Sequence, residues 1–244
     1  MLPTTRRRFL ATSAMASLIA TAKPLLTPAA GAQEKPAPAA SPAKLAVGMV
    51  VFEGFELLDV FGPLEMFGLL RDKVTITILA EQVGAVRSAA GPVVMADRAL
   101  ADPGPLDVLM IPGGMGTRRE VGNAAFIDVL KKLGTATPHV ASICTGSAVL
   151  ARTGLLDGRS ATTNKRAFKW ATSQGPQVQW VAAARWVEDG KFFTSSGVSA
   201  GMDMALGLIT KLFDHETAVR VAQGAEYAWH DDKTWDPFAK LNGL

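Results

Sequence analysis

The chain has 244 residues, 25 basic against 22 acidic, three histidines and a single cysteine. Four of the basic residues (Arg6, Arg7, Arg8, Lys23) and none of the acidic ones fall in residues 1–32, so the remainder is near neutral at 21 against 22. That balance gives no basic face for nucleic acid, and one cysteine excludes both an intramolecular disulfide and a cysteine-rich zinc site.

The N-terminus reads as an export signal. Thr5-Arg6-Arg7-Arg8-Phe9-Leu10 is a twin-arginine pattern, and a mildly apolar run from Leu10 to Ala22 follows it. That run is well below the ~20 residues needed to span a bilayer. Ala30-Gly31-Ala32 supplies the small-residue cleavage pattern. Residues 1–32 are therefore expected to be removed after export to the periplasm. No cysteine follows the apolar run to carry a lipid, so no stable membrane anchor is expected. Residues 33–44 form a Pro/Ala linker, and residues 45–244 one domain of about 200 residues.

From Leu45 onward, strand and helix patterns alternate. Leu45–Phe52 is a continuous apolar run, as in a strand buried on both faces. Leu57–Leu70 has helical spacing, Val74–Ala80 reads as a strand, and Val93–Leu100 as a smaller excursion. Leu106–Ile111 is a second buried strand, ending at Pro112-Gly113-Gly114. Ala124–Leu133 is an amphipathic helix, and His139–Ile143 is a strand that runs into Cys144. Helices are predicted at Thr145–Thr153 and Lys165–Ser173. Val178–Val187 and Lys191–Ser196 alternate around Asp189-Gly190, which predicts a β-hairpin near residues 178–196. Ala200–Phe213 and His215–Tyr227 close the chain as helices, the second capped by Asp214. Such alternation predicts an α/β domain, a mostly parallel sheet with helices on both faces. Ligands then collect beyond the carboxyl ends of the strands, which selects Gly54–Asp59, Pro112–Gly116 and Cys144-Thr145.

Cys144 stands at a strand-to-helix junction followed by the small residues Thr145, Gly146 and Ser147, as a nucleophile elbow requires. The positive end of the following helix is expected to favour thiolate, and the Thr145 N–H to steady negative charge on an attacked substrate. Gly113 and Gly114 lack side chains, so backbone amides could approach the reacting atom from the opposite side. Asp59 lies among Leu57, Leu58, Val60 and Phe61, which read as buried. An apolar setting raises a carboxyl pKa, which suits a proton carrier beside a thiol. Glu65 is the second candidate for that role. His139, His215 and His230 have no metal-ligand spacing, and only His230 could fold towards the cysteine.

Jointly, Gly54–Pro63, Ile111-Pro112-Gly113-Gly114, Ile143-Cys144-Thr145-Gly146-Ser147, Leu155–Thr163, Gly197–Asp203 and Glu226-Tyr227 resemble the ThiJ/PfpI superfamily. This is a flavodoxin-like, class I glutamine amidotransferase-like fold, and the resemblance spans roughly residues 45–230. It implies Cys144 as elbow nucleophile, Asp59 as the acidic residue bonded to it, and no organic cofactor or metal. Where many members carry a histidine, this chain has Asn164, which is grouped with Gly113 and Gly114 as a substrate-contacting residue. Leu58-Asp59 followed by Gly62-Pro63 looks most like the isonitrile hydratase branch, which turns an isonitrile and water into an N-substituted formamide. The resemblance also implies a homodimer acting on a small molecule. The other readings are a small-molecule-binding domain or an oxidative-stress sensor without turnover.

Overall fold

The computed structural model describes residues 43–244, so the expected export signal and most of the expected linker lie outside the described residues. In chain order the elements are β1 (Leu45–Val50), α1 (Leu57–Gly68), β2 (Val74–Ala80), β3 (Gly84–Arg87), β4 (Val93–Ala96), β5 (Arg98–Ala99) and β6 (Val108–Ile111). Then come α2 (Thr117–Glu120), α3 (Ala124–Ala136), β7 (His139–Ser142), α4 (Gly146–Arg152), β8 (Ser160–Ala161), α5 (Phe168–Ser173) and β9 (Gln179–Trp180). The last are β10 (Trp186–Asp189), β11 (Phe192–Ser195), α6 (Ala200–Leu212), α7 (His215–Gly224) and α8 (Pro237–Leu241).

The main sheet has the order β10-β11-β7-β6-β1-β2-β5, parallel throughout except for the antiparallel edge pair β10–β11. Stripped of its edges this is the doubly wound order 2-1-3-4-5, whose ligand crevice opens where the chain leaves β1 for β2 on one side and β6 on the other. Residues of β6 are buried on both faces, as are the last four of β1, which accounts for their unbroken apolar character; β11 is buried throughout as well, although it ends in Thr194-Ser195. Helices α1, α6 and α7 pack together against β2, β10 and β11, whereas α4 packs with α2, α3 and α5 against β6 and β7. Val47, Met49, Leu109, Ile111, Val140 and Phe193 form the core between them.

The hairpin differs in detail from its sequence pattern. Val178–Val187 does not form one strand: β9 pairs with β8 in parallel, and only β10 joins β11. The break follows from the C-terminal segment, whose Lys233 carbonyl takes the N–H groups of Arg185 (2.9 Å) and Trp186 (3.3 Å). Asp189 belongs to the strand, opposite Phe192. Its carboxylate accepts the Ser160 N–H at 2.8 Å, so the turn shifts to Gly190-Lys191, with the left-handed conformation at Gly190 (φ 62°).

Candidate active site

Three strand ends and one helix start converge here. The chain leaves β7 at Cys144 in the left-handed region, φ 56°, a conformation that costs a non-glycine residue about 1–3 kcal/mol. The surroundings hold it there. Its N–H donates to the Ser196 carbonyl at 3.1 Å, and its carbonyl accepts from Ser147 Oγ at 2.9 Å and Thr163 Oγ1 at 3.1 Å. Gly146 makes the turn possible, because a Cβ there would press into the Ile111 and Pro112 carbonyls. The sulfur thus sits at the mouth of the crevice, in a buried residue.

Around Sγ the chain gathers N–H donors. Asn164 Nδ2 lies at 3.2 Å, and the backbone N–H groups of Thr145 and Val198 also point to the sulfur. Asn164 Oδ1 accepts the Ala167 N–H at 2.9 Å, which fixes the amide with its nitrogen towards the thiol. Gly197 leaves room for that amide; a Cβ at Gly197 would collide with Asn164 Nδ2. Val198 itself has φ 41°, so both backbones flanking the sulfur are strained.

Asp59 is fully buried in the first turn of α1. Its Oδ2 accepts the Gly113 N–H at 2.8 Å, while Oδ1 is buried without a hydrogen-bond partner. Burial pushes this carboxyl up to about 8, helped by the nearby Glu56 charge; the hydrogen bonds with Gly113 and the Cys144 thiol oppose the rise. The apolar cover is not the one the sequence suggested. Val60 is buried, but Leu58 and Phe61 are 38% and 46% exposed, on the outer side of α1. Glu65 is exposed on the same helix and plays no part in the site.

Cys144 corrects a second expectation. Burial, reinforced by the Asp59 charge, pushes the thiol up to about 12, and the N–H groups of Val198, Thr145 and Asn164 only partly offset this. Helix α4 is seven residues long, and its dipole end does not overcome loss of water around the sulfur. Both members of the pair are thus pushed towards their uncharged forms, thiol and carboxylic acid.

Gly113 and Gly114 are closely fitted but already occupied. A Cβ at Gly113 would lie 2.6 Å from Thr145 N, 2.7 Å from Thr145 Oγ1 and 2.8 Å from Asp59 Oδ2. The Gly113 N–H holds Asp59, and the Gly114 N–H donates to Thr145 Oγ1 at 3.1 Å. Neither is free to steady an intermediate. Both instead position the acid and the residue after the nucleophile. Thr145 is buried, with its hydroxyl 3.2 Å from Thr117 Oγ1. Among the described residues no histidine bonds to Cys144, and no three His, Cys, Asp or Glu side chains gather as a metal site.

Val198 and Arg118 are site neighbours that sequence reasoning missed. Val198 follows the carboxyl end of β11, so the same strand-end rule would have found it. Beside Asn164 opens a cleft of about 320 Å³ bordered by Lys165, Arg166, Val198, Ser199 and Phe238, a size suited to a small molecule. A larger hollow of about 520 Å³, bordered by Glu53, Glu81 and Arg119, contains none of the candidate residues. Helix α6, which follows the loop that carries Val198, is tied to the C-terminal segment by buried Asp203. This carboxylate takes Arg185 Nε at 2.7 Å, Tyr227 Oη at 2.9 Å and the His230 N–H at 3.0 Å.

Comparison with known proteins agrees with this geometry. Residues 46–211 match the model of the DJ-1/PfpI family. Isonitrile hydratase from Pseudomonas putida is 32% identical over 186 residues, which cover 75% of this chain and 79% of that protein. The crystal structure of a ThiJ/PfpI family protein from Pseudomonas syringae superposes with a TM-score of 0.67 at 28% identity, covering 82% of this chain and 83% of the other. Drosophila melanogaster DJ-1beta shares the fold, with a TM-score of 0.68 at 24% identity over 77% of this chain and all of the other. The chain belongs to the DJ-1/PfpI family.

Proposed function

We propose that this protein is a cofactor-free, cysteine-dependent hydratase that converts a small isonitrile and water into an N-substituted formamide. The observation that carries the reading is the pairing of a fully buried Asp59 carboxyl with the Cys144 thiol, under three N–H donors and, among the described residues, with no histidine. A protease-like pair needs a base that takes the thiol proton and stays charged. Here both partners resist charge, so the fitting reaction is one in which proton delivery and sulfur attack happen together.

An isonitrile has that requirement. Asp59 delivers its proton to the terminal carbon while Cys144 Sγ bonds to the same carbon, and the thiol proton returns to Asp59. The product is a thioimidate, and no net charge has been buried. Water then adds across the carbon–nitrogen double bond. Nitrogen gains a hydrogen, the carbon–sulfur bond breaks, and the formamide leaves as sulfur recovers its proton. The N–H groups of Thr145 and Val198 lie where they can steady the developing charge. The relative from P. putida supports the substrate class. Reduced protein incubated with an aliphatic isonitrile should produce the formyl-proton NMR signal of the formamide; no product across a range of isonitriles overturns the reading.

The same proposal includes periplasmic export by the twin-arginine route, and assembly as a homodimer. Exposed Leu58 and Phe61 on α1 support a dimer, because large apolar side chains side by side on a surface favour a partner.

A further inference from the structure

We propose that Arg118 is a specificity-determining residue that binds a carboxylate on the substrate, so that the preferred substrates of Cys144 are small anionic molecules. This deepens the reading above, since it assumes that Cys144 attacks the substrate.

Arg118 lies in α2, directly after the glycine turn that leaves β6. Its guanidinium stacks on the Trp170 ring of α5 at 3.9 Å from the ring centre, a cation–π arrangement that immobilises the plane. Nη1 donates to Thr117 Oγ1 at 3.1 Å and to the Gly114 carbonyl at 3.4 Å. Thr117 Oγ1 lies in turn 3.2 Å from Thr145 Oγ1, so a short polar chain links the guanidinium to the residue after the nucleophile. Arg118 is also close enough to Cys144 for their charges to influence one another.

What this arginine lacks is an acid. Among the described residues it pairs with no carboxylate, and its Nε and Nη2 make no hydrogen bond, whereas the adjacent Arg119 is tied to Glu120 through Nε at 2.8 Å. Holding a half-buried guanidinium over an indole, with Nε and Nη2 unoccupied among the described residues, prepares the fork that binds a carboxylate through two N–H groups. The local charge agrees. Asp59 and Cys144 are both pushed towards their uncharged forms, and the cleft beside Asn164 is bordered by Arg166 and by no acidic residue, the Lys165 ammonium being turned inward onto Thr162 Oγ1 and the Ala184 carbonyl. A negative substituent thus meets attraction from Arg118, and a positive one meets repulsion.

The test compares alkylation of Cys144 in the full protein by iodoacetate and by iodoacetamide, which differ in charge but little in size, over long incubations at pH 7 and low salt, where Asp59 keeps its proton. The proposal predicts an iodoacetate-to-iodoacetamide rate ratio about tenfold above that of free cysteine, collapsing in Arg118→Gln, partly restored in Arg118→Lys and weakened by salt. A ratio unchanged in Arg118→Gln overturns it, as does an equal fall with both reagents, which would make Arg118 a stabiliser of thiolate. A Cys144 inert to both reagents also overturns it, because a small carboxylate must have a route to the sulfur. With isocyanoacetate and its methyl ester, Arg118→Gln should lower the kcat/KM ratio of acid to ester about tenfold. If the alkylation preference stands but neither isonitrile is turned over, carboxylate binding is supported and the hydratase reading falls.

Discussion

Asn164 donates to Cys144 Sγ at 3.2 Å from a side chain that has no site for the thiol proton. A histidine there could deprotonate the sulfur; an amide can only stabilise charge once it forms. Asn164→Ala should raise the thiol pKa further and lower kcat about tenfold, in line with loss of one hydrogen bond to a charged group. Asn164→His should do the reverse to the thiol, with faster alkylation at pH 7, while failing to improve hydration. Iodoacetamide kinetics and formamide production, measured on both variants, separate these outcomes.

Asp59 makes stability and activity respond to pH in the same direction. Its folded-state pKa of about 8 lies above the ordinary value of 3.8, so the native state holds the proton more tightly than the unfolded chain. This contribution to stability is fully present below pH 3.8. It declines from there as pH rises and is lost by about pH 8, with a slope of at most about 1.4 kcal/mol per pH unit for one proton. Asp59→Asn should flatten this part of the curve in denaturant unfolding between pH 4 and 8, and be the more stable protein at pH 9. Turnover needs the same proton, so kcat/KM of the wild type should fall about tenfold per pH unit above pH 8, and Asp59→Asn should lose at least about 100-fold at all pH values.

Asp203 ties the start of α6, directly after the loop carrying Val198, to the C-terminal segment, and neither it nor Arg185 has access to water in quantity. Removing one member of a buried pair leaves the other charge unmatched, at a cost of about 3–5 kcal/mol. Asp203→Ala should therefore lower Tm by roughly 10 °C for a domain of this size. At temperatures where it remains folded it should also lower kcat, because the Val198 N–H is no longer held against the sulfur.

Much of this was legible in the residues. The continuous apolar runs of β1 and β6 and the apolar approach of β7 to Cys144 announced a parallel sheet, and the strand-end rule then placed Asp59, Gly113 and Cys144 together. The shortest pieces were not legible. Strands β3, β8 and β9 have two to four residues each, too few for a periodic signal, and β10 is set by a contact with Lys233 some 45 residues further on. Arg118 and Trp170 are adjacent only because α2 and α5 both pack on α4. The upward pull on the Cys144 thiol was not legible for a physical reason: a helix start is visible in sequence, whereas the depth of burial that opposes it is a property of the whole fold. Leu58 and Phe61 are apolar yet exposed for the converse reason, since helical spacing identifies a buried face but not where it stops.

The central claim is that the resting site carries no charge on either reacting group. The rate of Cys144 alkylation by iodoacetamide, followed from pH 6 to pH 11 in the wild type and in Asp59→Asn, tests it most directly. The account predicts a wild-type rate still climbing at pH 10, well past the ordinary thiol value of about 8.5, and a profile displaced to lower pH in Asp59→Asn, where the carboxylate charge is gone. A wild-type plateau reached by pH 7 would mean that Cys144 rests as a thiolate, and would contradict it.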